Sequence, residues 1–395
     1  MKYSNIGGQA VMEGVMMRNS EKWAVAVRTA DKQITVKTGI YKGVIPFKSV
    51  GKIPILRGVC SFIDSLYLGM KTLMFSADLF AEESEKELEE RLSDEKKKAE
   101  KKAAKLRAAG KSEQADHLLE EAQKKADEER KKLKEREASG NGKSSDSDNS
   151  LLLTLTLIFS LAVSIALFMM LPYFLSRALR TVTSSESLIS VSEAILRMLI
   201  FFGYLLLISR MKDIQRTFMY HGAEHKCINC IEHGLELNVE NVRKSSRQHK
   251  RCGTSFLLIV MVVSVIFFFF IRTSDPVMRI VIRVLLSPVI AGVSFEFIRL
   301  AGRYDNKCVN ILSKPGLLLQ KLTTKEPDDE QIKVGIASVE AVFNWKKYLN
   351  ENFDAGYVLT EADEPHERDD LYTIRREDDP ADGTTDAESS QNQNL

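Results

Sequence analysis

Thr254-Ser255-Phe256-Leu257-Leu258-Ile259-Val260-Met261-Val262-Val263-Ser264-Val265-Ile266-Phe267-Phe268-Phe269-Phe270-Ile271 carries no charged side chain and ends in a run of phenylalanines. An apolar stretch of about 20 residues satisfies its own backbone hydrogen bonds as a helix and matches the hydrocarbon thickness of a bilayer. Leu151 to Leu175 has the same character, with Pro172 near its end and Arg177 and Arg180 beyond it. Ala194 to Ser209 is shorter and holds Arg197, and Val277 to Phe297 is interrupted by Arg279, Arg283 and Pro288. Together these segments predict a mainly α membrane protein with about four transmembrane helices in the region 151–313. A mean hydropathy of −0.16 hides this, because it averages an apolar part with a highly charged one.

Basic residues set the expected topology. Between the second and third spans lie Arg210, Lys212, Arg216, Lys226, Arg243, Lys244, Arg247, Lys250 and Arg251, whereas only Arg177 and Arg180 lie between the first and second. The positive-inside rule places the 210–252 segment in the cytoplasm, and four spans then return both termini there, giving a multi-pass protein of the cell membrane. Residues 1–30 lack the continuous apolar core of a cleavable signal peptide. Net charge is +2, the sum of a basic loop and an acidic tail, and nothing in the pattern calls for a nucleic-acid partner.

Outside the spans the chain divides further. Residues 1–50 read as a small β-rich unit: Trp23 to Arg28 and Gln33 to Lys37 alternate in character about a turn at Thr29 to Lys32. Before them, Gly7 to Arg18 mixes glycines with Glu13 and Arg18, as a loop that lines a site or packs tightly. In residues 51–80 Arg57, Asp64, Lys71 and Asp78 recur every seven residues, which puts them on one face of an amphipathic helix at the membrane surface or against the bundle. Residues 81–150 read as a Lys/Glu-rich helical hairpin broken at Gly110, carrying a surface His117 and ending in a flexible linker at 139–148. Residues 314–355 show helical periodicity through Ile332, Ile336, Val339 and Phe343. The acidic tail, 356–395, which includes His366, is expected to be disordered.

Chemistry concentrates in the cytoplasmic loop. His221-Gly222-Ala223-Glu224-His225 is a His-x-x-Glu-His pattern, the inverted zincin signature. On a helix His221 and His225 share a side and Glu224 lies beside them, so two imidazoles could ligate a divalent metal while the carboxylate serves as general base. A catalytic zinc needs a third protein ligand, for which His249 and Glu296 are candidates. Glu296 near the end of an apolar span demands a partner, and Arg299 or Arg303 could equally pair with it. A competing reading uses Cys227, Cys230, His249 and Cys252: two pairs of x-x spacing, separated by eighteen residues, as in a structural zinc knuckle. A third reading leaves the cysteines as small buried residues without metal. Five cysteines, counting Cys60 and Cys308, are an odd number in a reducing compartment, where disulfides are disfavoured.

The motifs Gly7 to Arg18, His221 to Lys226, Glu240-Asn241-Val242-Arg243, Arg251 to Phe256, Pro315-Gly316-Leu317 and Thr323 to Asp329 resemble, in order, the YqhQ-like family of bacterial multi-pass membrane proteins. The resemblance covers roughly 4–80 and 150–345; that family is a domain of unknown function described as predicted metal-dependent enzymes, so it implies a metal but no reaction. The resulting expectation is an integral membrane metal-dependent hydrolase, a peptidase being one form, acting on a membrane-protein segment or lipid-linked substrate at the bilayer. The rival expectation is a non-enzymatic membrane scaffold or transport-associated protein whose loop is folded by structural zinc.

Overall fold

The computed structural model describes residues 2–29, 31–43, 53–108, 111–139, 147–271, 275–303, 307–365 and 370–374. Four of its helices are long and apolar enough to cross a membrane: Ile158–Arg177, Glu186–Ile208, Gly253–Phe270 and Val277–Leu300. The first is built from α3 (Ser147–Ile165), a π turn at Ala166–Met170 and α4 (Leu171–Arg177). Pro172 sits in the first turn of α4, and a proline cannot supply the amide that a regular helix needs there; the wider π turn absorbs the mismatch.

The second span, α5 (Glu186–Ile208), begins eight residues before the expected Ala194 (194 − 186 = 8) and takes in Glu193 as well as Arg197. Both are buried, as is Arg283 of α9 (Pro276–Arg303). Arg197 donates to Glu193 at 2.9 Å, Arg283 donates to it at 3.0 Å, and Arg197 also reaches Ser264 of α8 (Gly253–Phe270) at 3.4 Å. Both guanidinium groups lie 4.9 Å from the Phe268 ring centre. Three helices thus share one charge cluster, which is how charged residues enter apolar spans.

The N-terminal unit is a five-stranded antiparallel meander, ordered β1 (Gly7–Val11), β2 (Gly14–Asn19), β3 (Lys22–Arg28), β4 (Ile34–Ile40) and β5 (Leu371–Ile374). The expected hairpin is β3–β4, with Arg28 opposite Ile34. The Gly7 to Arg18 stretch is a second hairpin rather than a loop, turning at Met12-Glu13 with Glu13 at φ 49. Side chains alternate across the sheet with period two. Val15, Met17, Ala24, Ala26 and Val36 face one core with Tyr220, Ile228 and Ile332, while Val11, Met16, Trp23, Val25 and Val27 face another with Leu68. Both faces are covered, so the strands read as nearly continuous apolar runs.

Leu68 belongs to α1 (Pro54–Ala108), a single helix of 55 residues that packs on α9 and then forms a hairpin with α2 (Ser112–Ser139). Ion pairs Arg91–Glu129 and Arg130–Glu89 tie the hairpin together. Gly110, where the break was expected, and most of the 139–148 linker lie outside the described residues. The other face of the sheet carries α6 (Lys212–Glu232) and α11 (Asp329–Glu340). The motif-bearing segment is therefore a buried helix rather than a loop: Tyr220 and Gly222 through Glu232 are all buried. α7 (Val239–Lys244), α10 (Lys307–Thr323) and α12 (Trp345–Phe353) complete the described helices used below. Lys314-Pro315-Gly316 does not open a new segment, because α10 runs through it.

The 356–395 tail departs from expectation at its start. Leu371–Ile374 pairs with β4, Ile34 opposite Ile374, and covers what would be an open strand edge. His366 and residues 375–395 lie outside the described residues.

Candidate metal centre

On α6 a residue advances about 100° around the axis, so positions 221 and 225 share a face. The His221 and His225 ring centres are 4.4 Å apart. The third member comes from elsewhere: Cys252, at the N-cap of α8, lies 3.2 Å from His221 Nε2. The donor atoms of His221, His225 and Cys252 all fall within 4.8 Å of one another, and no other such cluster occurs among the described residues.

Each imidazole is fixed by its other nitrogen. His221 Nδ1 lies 2.9 Å from the Thr323 carbonyl and His225 Nδ1 lies 2.7 Å from the Arg247 carbonyl. A carbonyl only accepts, so each Nδ1 carries a proton, which leaves each Nε2 as the nitrogen a metal would take in place of a proton. His225 Nε2 and Glu224 Oε2 are buried without any hydrogen-bond partner. Orphaned buried polar atoms are rare. Two imidazoles and one thiolate are a donor set that suits zinc.

The surroundings hold these groups in place. Lys226 Nζ donates to the Arg243 and Ser245 carbonyls at 2.8 and 2.9 Å, and Asn229 Nδ2 donates to those of Ser246 and Gln248 at 2.6 and 2.9 Å. Those four bonds shape the segment whose Arg247 carbonyl orients His225. Gln320 of α10 accepts from the His249 amide at 2.9 Å and donates to the His249 carbonyl at 2.7 Å, anchoring the approach to Cys252. Gly222 lets the 323–325 segment come close: a Cβ there would sit 2.0 Å from the Lys325 carbonyl oxygen. Gly222→Ala is expected to push that segment outward and loosen His221. Metal affinity should fall about 10- to 100-fold, as for lost support of a ligand, with far-ultraviolet circular dichroism little changed.

Electrostatics favour an ionised thiol. Burial would push the Cys252 thiol up, but the facing His225 and His221 imidazoles and the His221 hydrogen bond hold it well below its ordinary value. Burial opposes a charge on His221, yet the Cys252 thiolate and Glu224 raise its pKa to about 9. Glu224 is buried beside the cluster; desolvation raises its carboxyl, opposed by His221, His225 and a hydrogen bond from the Gly8 backbone. β1 thus closes the site, and a Cβ on Gly8 would lie 3.0 Å from Glu224 Cγ.

The remaining sequence candidates fall outside the cluster. His249 is next door, its ring centre 5.8 Å from that of His225, but its Nε2 faces Glu232 at 3.4 Å. Burial would raise the Glu232 carboxyl, but His249, Arg251 and the Ser4 amide hold it below the usual range. Glu296 is not among the clustered donors: Arg57 of α1 grips it with bonds of 2.9 and 2.5 Å, a partner the sequence did not suggest. The Cys227, Cys230, His249 and Cys252 knuckle is not assembled. Cys227 and Cys230 sit about 200° and 140° around α6 from His225. The Cys227 sulfur packs against Gly335, and Cys230 donates to the Glu236 carbonyl at 3.2 Å.

A family model described as protein of unknown function (DUF1385) matches residues 53–345. The chain belongs to that family. It is 32% identical over 347 residues to the uncharacterised protein YqhQ of Bacillus subtilis (strain 168), covering 88% of this chain and 94% of that relative. No solved structure matches it. α6, Cys252 and the segments that orient them lie within the matched region, whereas β1 and Gly8 lie before it.

Proposed function

We propose that His221, His225 and Cys252 hold a divalent metal, most simply zinc, and that the protein is a membrane-bound hydrolase of amides or esters, a peptidase being one form. The observation that carries this reading is the pair of orphaned buried atoms, His225 Nε2 and Glu224 Oε2, at a His/His/Cys cluster. A bound ion of this class supplies Lewis-acid stabilisation of developing negative charge. Glu224 accepts the proton released in hydrolysis and returns it to the leaving group; desolvation, which raises its carboxyl, makes it a better base than an exposed carboxylate. Gly8 orients the carboxylate, and the Thr323 and Arg247 carbonyls keep both imidazoles in one tautomer. By the positive-inside rule, the basic residues around α6 support a reading with the centre on the cytoplasmic side of the cell membrane and both termini there. Substrates at that level are membrane-protein segments or lipid-linked molecules.

Glu224→Gln is expected to leave metal per chain unchanged while turnover of a panel of fluorogenic peptides and aryl esters falls by about 10²- to 10⁴-fold. Unchanged turnover would remove Glu224 from the chemistry, and no turnover in wild type would return the centre to a structural role in a scaffold. The 3.2 Å contact between His221 and Cys252 also favours a second reading, in which the Cys252 thiolate is a metal-free nucleophile. Activity that survives chelation but not iodoacetamide would select it.

A further inference from the structure

The first half of α1 is amphipathic in a way the protein alone does not satisfy. Its charged stripe is engaged: Arg57 bonds Glu296, Asp64 accepts from Tyr41 Oη at 3.0 Å, and Lys71 Nζ lies 5.1 Å from the Trp23 ring centre. With buried Leu68, that stripe seats the helix on the sheet. On the opposite arc Leu56, Ile63, Leu66, Met70, Leu73 and Met74 are 37–57% exposed. Their spacing of three, four and seven residues makes one continuous apolar stripe.

Its position relative to the spans shows what covers it. A Cβ on Gly58 would lie 2.5 Å from the Gly292 carbonyl, so α1 crosses α9 in backbone contact. Gly292 is eight residues before the end of that span at Leu300 (300 − 292 = 8). At about 1.5 Å per residue the crossing is about 12 Å along α9 from that end. Phe62 packs on Phe256, one turn into α8, with ring centres 5.4 Å apart. The start of α1 therefore lies among the span ends nearest the His/Cys centre. Past this region the hairpin presents ion-paired Glu89, Arg91, Glu129 and Arg130.

We infer that residues 54–80 of α1 form a fifth membrane element: a helix that enters the leaflet on the His/Cys side with its apolar stripe in phospholipid and its charged stripe under the sheet. It holds the sheet, and with it Gly8 and Glu224, against the membrane surface. An interfacial helix of this kind sinks its apolar face about 5–10 Å into the headgroup and acyl boundary.

Tryptophan placed on the stripe reads this directly. Leu66→Trp and Met70→Trp, each in the full-length protein in phosphatidylcholine vesicles, are expected to add blue-shifted emission. Brominated phosphatidylcholine should quench more than about half of it, since bromines on the upper acyl chain lie at that depth. Leu371→Trp, on β5 with its side chain 59% exposed, is the aqueous control. Red-shifted, unquenched emission matching that control would overturn the inference. So would blue-shifted but unquenched emission, which would mean that protein rather than lipid covers the stripe. Neither probe position touches the metal centre, so loss of metal leaves the measurement intact.

Discussion

His225→Ala, made in the full-length protein in detergent, is expected to reduce bound divalent metal from about one ion per chain to roughly a tenth or less. The imidazole contributes the one nitrogen in the cluster that is buried with no partner at all. Its Nδ1 is already committed to the Arg247 carbonyl, so the side chain cannot turn away without breaking a 2.7 Å bond. Removing it leaves His221 and Cys252, a pair that can satisfy itself by the existing 3.2 Å contact. Cys230→Ser makes the contrast, because that thiol is spent on the Glu236 carbonyl on another face of α6. Metal content in Cys230→Ser is expected to match wild type. The reverse pattern, metal lost from Cys230→Ser and kept in His225→Ala, would mean a thiolate-rich knuckle forms instead.

The second large effect concerns the spans. Glu193→Ala removes the only carboxylate in the described cluster and leaves Arg197 and Arg283 facing each other while buried. Breaking a buried ion pair by deleting one partner costs about 3–5 kcal/mol, since the surviving charge keeps its desolvation penalty. The expected result is a lower unfolding midpoint in detergent and a loss of properly folded protein on gel filtration. Replacing all three residues with leucine is expected to recover most of the loss, because apolar substitutes carry no such penalty. A Glu193→Ala protein as stable as wild type would show that the guanidinium groups find other partners.

How far the sequence could be read depended on whether the deciding contact was local. α8 and the core of α3 are plain, because uncharged runs of that length have few other fates. α5 starts eight residues before the apolar run at Ala194 (194 − 186 = 8), a start hidden because Glu193 and Arg197 look in sequence like the edge of a span. Their neutralisation by Arg283 of α9 is a tertiary fact that no window of sequence contains. The β1–β2 hairpin was hidden by its glycines and by a turn in which Glu13, not glycine, takes a positive φ. β5 was hidden in an acidic tail whose composition argues against order, and only the open edge of β4 gives it a place.

The candidate site divides the same way. His221 and His225 are legible as a helical pair because i and i+4 meet on any helix. The sequence spacing groups Cys252 with Cys227, Cys230 and His249, whereas its contact with His221 spans 31 residues and depends on where α8 begins. Position at an N-cap was the available signal: a thiolate is favoured at a helix N-terminus, and Cys252 immediately precedes an apolar span. The pairing of Glu296 is hidden for the same reason, as its partner Arg57 lies 239 positions away.

X-ray absorption at the zinc edge of the purified, metal-loaded protein tests the central claim most directly. A centre built from His221, His225 and Cys252 predicts one sulfur and at least two imidazole nitrogens on the ion. Three sulfurs, or purified protein that retains no metal when offered zinc, would contradict it.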